Sequence, residues 1–281
     1  MKEDRAKKLV ETALSDLQTQ LEAGRSETLL RFLDCVSRFH QYSWLNCVLI
    51  GAQRPGATRV AGFRKWLELN RSVRKGEKGI AILAPMTYRK QTQQEDDTEK
   101  ATVIRGFKVV HVFDVSQTEG DDLPEFAGVK GEPRELLDDL ECLVRDSQIE
   151  LRYEPLPLGV KGYSARQTIV LSEGLEPAER FSVLAHELAH AWMHDAERRK
   201  QASKTVKETE AEAVSYAVCR AVGFDCTTHS SDYIQLYNGD VDVLTLSLGL
   251  IQQMAARMIT GLTEMSSRST HQKAEAPQLA C

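Results

Sequence analysis

FSVLAHELAHAWMHDAERRKQASKTVKETEAEAVSYA, residues 181–217, decides how the rest of the chain is read. Leu184, Leu188 and Trp192 recur every four residues, and the apolar stripe they make predicts a helix opened by Pro177 and running to about residue 196. His186 and His190 are also four apart, so on that helix the two imidazoles stand one above the other on another face, with Glu187 beside them. This HExxH spacing lets both rings reach one metal ion and leaves a carboxylate placed to act as a base.

Catalytic zinc usually takes three protein ligands and keeps a fourth position for water, so a further ligand is expected downstream. Residues 205–222 read as a second helix, with Val206, Ala213, Val214 and Ala217 as its apolar side and Glu208 and Glu212 four apart on another face. Glu208 could bind the ion, and Glu212 could accept the ring N–H of a ligand histidine. Glu210 points elsewhere and is the weakest of the three glutamates, while His194 and His229 are rival third ligands. One zinc, or another divalent metal, is expected per chain, since geometry and supply outweigh intrinsic affinity in choosing the metal. An open coordination position lowers the pKa of bound water to about 7 in favourable sites, and Glu187 could carry the proton to a leaving amine, which is amide hydrolysis. Tyr163 and His229 are candidates for stabilising the oxyanion.

Outward from this stretch, residues 168–171 and 149–153 read as strands and residues 243–262 as a further helix. The tail from 265 to 281 has no apolar period and is expected to be disordered. Residues 117–133 gather Gly120, Pro124, Gly128, Gly131 and Pro133 among acidic side chains, which places a domain boundary there. The expected division is 1–125, 129–264 and the tail.

The N-terminal part begins with three helical patterns: Leu9, Ala13, Leu17 and Leu21; Leu29, Leu33, Val36 and Phe39; and Trp44 to Ile50, closed by Gly51 and Pro55. Strands follow at 79–83, 102–104 and 107–113, with a polar hairpin tip or loop at 91–100. The fold class is therefore α+β: N-terminal helices with a small sheet, then a helical and sheet domain built round the HExxH helix.

Charge divides along the same line. The whole chain carries a formal net charge of −5, which excludes a uniformly basic coat, yet residues 54–90 hold ten basic side chains against two acidic ones, while residues 126–281 sum to −7. A sequence-independent reader of single strands needs cations along the backbone path and aromatic faces for the bases. Tyr42, Trp44 and Trp66 are the candidate rings, and Arg59, Arg64, Arg71, Arg74, Lys75 and Lys78 the candidate cations; Arg74 to Gly79 reads as a cationic turn. Six cysteines show no CxxC pair, and residues 1–8 mix charges with no apolar run behind them, so a cytoplasmic protein with reduced thiols and no membrane contact is expected.

HELAH followed by an ExxxE pair and preceded by the strand QTIVL resembles the gluzincin metallopeptidases, and that resemblance implies Glu208 as third ligand. NCVLIGAQRPGATRVAGFRKWLELNRSVRKGEKGIAILAP, residues 46–85, and VFDVSQTEG, residues 112–120, resemble the N-terminal single-stranded-DNA-binding domain of plasmid antirestriction proteins of the ArdC type. Those proteins join that module to a metallopeptidase-like domain, so the resemblance covers about residues 5 to 262 in one order. It implies antirestriction: shielding incoming single-stranded plasmid or mobile-element DNA. The alternative is a regulatory metalloprotease that cleaves a DNA-associated repressor or other host protein.

Overall fold

The computed structural model describes residues 2–23, 27–90, 101–123, 132–194, 197–224 and 241–275. Three helices open the chain, α1 (Lys2–Glu22), α2 (Glu27–Phe39) and α3 (Trp44–Gln53), followed by β1 (Val60–Gly62), α4 (Phe63–Glu68), β2 (Arg71–Val73), β3 (Ile80–Lys90), β4 (Ala101–Asp114) and β5 (Thr118–Gly120). The Ser43 hydroxyl accepts the Asn46 N–H and caps α3. β1, β4 and β3 form an antiparallel sheet in that order, and β2 pairs with β5. Two amides of α3 cover the free edge of β3: Asn46 bonds the N–H and carbonyl of Leu83, and Gln53 those of Ala81, all at 2.8–2.9 Å.

The expected strands at 102–104 and 107–113 are one strand. Their apparent break is a bulge in which Met86 pairs with Gly106 and Thr87 with Ile104, so Arg105 is the extra residue and Gly106 takes a φ of 154°. The hairpin tip expected at 91–100 lies outside the described residues. VFDVSQ is a clamp: the Asp114 carboxylate accepts the N–H groups of Thr58, Arg59 and Ser116, and the Gln117 amide donates to Glu77 and to the Lys78 carbonyl.

The second part runs α5 (Pro133–Asp146), β6 (Glu150–Glu154), β7 (Gly162–Ala165), β8 (Thr168–Ser172), α6 (Pro177–Met193), α7 (Arg198–Gln201), α8 (Lys204–Ala221) and α9 (Val241–Glu275). Pro133 and Pro177 each sit in the first turn of their helix, where the missing N–H is harmless. β6 lies parallel to the central β8, and β7 returns antiparallel as the other edge. α9 continues past the tail boundary expected at 265, so residues 265–275 are helical; residues 276–281 lie outside the described part. By length and composition Val241–Ser267 is apolar enough to cross a membrane, but Leu244, Leu248, Ile251, Ala255, Met258 and Leu262 are buried in the protein core.

The two parts share that core. Leu29, Phe32 and Val36 of α2, Val214 and Val218 of α8, and Leu248 and Ile251 of α9 belong to one hydrophobic cluster. Polar bonds cross at the same place: the Tyr216 hydroxyl and the Arg220 guanidinium donate to Asp34, at 3.3 and 3.4 Å, and the Gln252 amide donates to the His40 carbonyl at 2.8 Å.

Candidate functional site

α6 is held by buried Phe181, Leu184, Ala185, Leu188 and Ala189, and the opposite face presents His186 and His190 to α8. Glu208 completes a triangle. Its Oε2 is 3.6 Å from His186 Nε2 and 3.3 Å from His190 Nε2, and the two ring nitrogens are 3.0 Å apart. Donors about 2.0–2.1 Å from one tetrahedral ion must lie about 3.3 Å from each other, so the spacing suits a four-coordinate divalent cation. Two neutral imidazoles and one carboxylate are also the N/O donor set such an ion takes.

Electrostatics in the cluster favour positive charge at that point. Burial depresses the His186 pKa, but its hydrogen bonds with Glu208 and Glu212 outweigh burial and bring it up to about 9. The bond to His186 in turn holds Glu208 down at about 2. Burial and the His186 charge push His190 down to about 4, so this ring is neutral at pH 7. Glu187 is 8% exposed, and burial raises its pKa above the usual carboxylate range while Ser164 hydrogen-bonds it.

The cleft over these groups has a volume of about 290 Å³ and is walled by Gly162, Tyr163 and Ser164 of edge strand β7 and by Lys204 and Lys207 of α8. Glycine at 162 eases this packing: a Cβ there would lie 2.9 Å from Leu171 Cδ2 and from Val183 Cγ1, so a larger residue would force those side chains to shift where β7 meets α6. β7 carried too short a pattern to read as a strand from sequence.

Glu212 Oε2 lies 3.4 Å from His186 Nδ1, on the ring nitrogen turned away from the triangle. His194, a rival third ligand by spacing, is instead on the far side of His190, with the two Nδ1 atoms 2.8 Å apart. Glu210, the least regarded of the glutamates, is fully buried and bonded to His194, Arg198 and Ser247. Spacing alone concealed both, because His194 is turned to Glu210 of α8 and two of the Glu210 partners come from α7 and α9. His229 lies outside the described residues.

The residues expected to meet DNA separate into two groups. Trp66 is 2% exposed and donates its indole N–H to the Phe113 carbonyl at 2.9 Å, so it is a core ring with no face open to a base. Tyr42 and Trp44 are half-buried against the hydrophobic cluster that the two parts share. Arg71 is spent on the Thr118 hydroxyl and on the carbonyls of Thr118, Gly120 and Asp121, where it staples β2 to β5. Arg74 donates to the Ser116 carbonyl and to Glu77, which fixes the 74–79 turn. Arg59 is half-buried beside Asp114. Arg64, Lys75 and Lys78 project into solvent. The exposed ring near them is Phe63, 50% exposed and edge-on to Phe113, and Phe107 is equally exposed farther along β4. Sequence reasoning passed over both because it weighted tryptophan and tyrosine.

Residues 5–113 match the model of the N-terminal domain of anti-restriction factor ArdC, and residues 144–219 match the Peptidase M78 model, described as an IrrE N-terminal-like domain. An uncharacterized protein of Bacillus anthracis is 24% identical over an alignment covering 94% of this chain and 52% of its own length, so the chain spans about half of that curated relative. The crystal structure of the antirestriction ArdC protein from the R388 plasmid superposes in its metal-free form with a TM-score of 0.54 at 19% identity, covering 91% of this chain and 98% of that one. Its Mn(II)-bound form gives 0.53 at 18% identity, covering 90% and 97%. The chain thus carries a match to the ArdC N-terminal domain followed by a match to the M78 peptidase-type domain, on the fold of ArdC along nearly its whole length.

Proposed function

We propose that the chain is an antirestriction protein that binds single-stranded DNA through its N-terminal part and holds a divalent metal, zinc or another such as manganese, in an HExxH peptidase-type site of gluzincin pattern. The observation that carries the proposal is the triangle of His186 Nε2, His190 Nε2 and Glu208 Oε2, with the Glu187 carboxylate beside it under a cleft. The manganese-bound relative supports a divalent cation without selecting which. A bound cation would supply Lewis-acid polarisation of a carbonyl and a water whose pKa is near 7 in favourable sites, roughly the range in which enzymes use it.

The chain's own side chains do the remaining work. Glu187, kept basic by its raised pKa, takes the water proton and returns it to the leaving amine. Ser164 orients that carboxylate, and the backbone of β7 offers an extended peptide the free side of a sheet edge. Tyr163 lines the cleft and donates its hydroxyl toward the developing oxyanion in this reading. On the DNA side, Arg64, Lys75 and Lys78 contact phosphates and Phe63 and Phe107 replace Trp66 as the stacking rings. Each base–ring stack contributes roughly 1–3 kcal/mol.

The formed base and cleft keep a second reading in play, a regulatory protease acting on a DNA-associated protein. Gel shifts of a labelled single-stranded oligonucleotide, with Glu187→Gln, Phe63→Ala and Lys75→Ala/Lys78→Ala proteins, test the proposal alongside a nuclease-protection assay. The lysine and phenylalanine variants should bind more weakly and with a shallower salt dependence for the lysine pair. Glu187→Gln should bind DNA normally; if it also protects DNA normally, protection does not need hydrolysis, and if protection is lost the protease reading gains. Equal affinity of all three variants for the oligonucleotide would remove these residues from the DNA surface.

A further inference from the structure

By spacing, His194 is a rival third ligand and Glu210 the weakest of the three glutamates. In the structure they are consecutive links in a buried chain that starts on His190 and ends on α9. His190 Nδ1 lies 2.8 Å from His194 Nδ1, and His194 Nε2 lies 2.9 Å from Glu210 Oε2. The other oxygen of Glu210 accepts from Arg198 of α7 and from the Ser247 hydroxyl of α9, the latter at 2.6 Å. Arg198 also reaches Ser247, at 3.3 Å. His194, Glu210, Arg198 and Ser247 are each less than 8% exposed.

One arrangement of protons satisfies every contact along this chain. Glu210 accepts from a guanidinium and a hydroxyl, so it is a carboxylate acceptor and His194 Nε2 carries the hydrogen toward it. With a single ring hydrogen on His194, at Nε2, its Nδ1 is the acceptor and the facing His190 Nδ1 is the donor. That puts the His190 lone pair on Nε2, the atom turned toward Glu208 and His186. We infer that the His194–Glu210 pair is a positioning relay that fixes His190 in the metal-binding tautomer and anchors it through Arg198 and Ser247 to α7 and α9. This rests on the proposed metal reading of the triangle. His186 has a simpler support, the single carboxylate of Glu212, so the two ligand histidines are held by different devices. The loss of such outer partners typically weakens metal affinity by about 10–100-fold.

The test is competition between the full-length protein and a chromophoric chelator for Zn²⁺, and separately for Mn²⁺, across three substitutions at one position. His194→Ala should bind either ion about 10–100-fold more weakly. His194→Asn, whose Oδ1 takes the place of Nδ1 as acceptor, should recover most of that loss. His194→Gln, whose amide reaches only the Nε2 position, should not. Circular dichroism melting of each metal-free protein separates this from a packing role, which would lower stability in all three and leave affinity unmoved. His194→Ala folded and binding as tightly as the wild type would overturn the relay, as would equal losses in the Asn and Gln variants. A ¹⁵N-histidine spectrum of metal-free wild-type protein reads the tautomer without any variant: a proton on His190 Nδ1 supports the relay, and one on Nε2 refutes it. Wild-type protein that takes up no metal would defeat the metal reading by itself, while this spectrum would still decide the relay.

Discussion

Glu208 shows how a residue's role follows from what it touches rather than from its type. It is one of three glutamates in five residues, and only its contact with both imidazoles separates it from a solvated surface carboxylate. The same contacts set a pH dependence. His186 has its folded pKa raised to about 9, so in metal-free protein its contribution to stability is full below its ordinary value near 6.5 and is lost as pH rises through 9. His190 is pushed the other way, to about 4; between its ordinary value and 4 the unfolded chain takes up a proton that the folded one refuses, so acidification over that window destabilises the fold. Metal must displace the His186 proton, so metal binding at pH 7 should release about one proton and the apparent affinity should rise with pH up to about 9. Calorimetric titration in buffers of different ionisation enthalpy measures that release; none at pH 7 would contradict the proton placement. Glu187→Gln should leave metal affinity nearly unchanged while abolishing hydrolysis of any peptide the cleft accepts, because the buried base is not one of the three donors.

At the scale of elements, what the sequence made legible and what it hid have physical reasons. The long helices carrying His186 and Glu208 were readable because a buried helix must keep an apolar stripe at a fixed period, and the Pro at the start of α5 and of α6 marked where each begins. Short elements β1, β2, β5 and β7 and helix α4 were invisible, since three to six residues give no period and their conformation is imposed by neighbours. Trp66 departs from its expected role for the same reason: α4 is short, its indole N–H is bonded to the Phe113 carbonyl, and Phe63 of the same helix is the exposed ring. The Glu187–Ser164 contact could not be read either, because it depends on β7 approaching α6 at Gly162. Gly162→Ala should destabilise the protein by about 1–3 kcal/mol through overpacking against Leu171 and Val183, and it should widen the cleft wall. Thermal melting and metal affinity together check this; an unchanged melting temperature would mean that β7 is not held where its packing places it.

For the whole molecule, the two halves differ in charge and in their family models yet meet in a shared hydrophobic cluster through α2, α8 and α9. Asp34 on α2 receives Tyr216 and Arg220 from α8, the helix that supplies Glu208, so the N-terminal part leans on the element that completes the triangle of His186, His190 and Glu208. Unfolding should therefore be one cooperative transition, and saturating Zn²⁺ should raise the melting temperature reported by Trp66 in the N-terminal part as well as that reported by Trp192 in α6, by about 2.7 kcal/mol of stabilisation at a hundredfold excess over the dissociation constant. Single-tryptophan proteins make the two reports separable, and two transitions of which only one responds to metal would show independent halves. Crystals soaked in Mn²⁺ and measured at the manganese edge put the triangle itself to the question. An anomalous peak bound by His186 Nε2, His190 Nε2 and Glu208 at about 2.0–2.2 Å is the expected result, and a map with no peak among those three atoms, or one held by other residues, would contradict the metal centre.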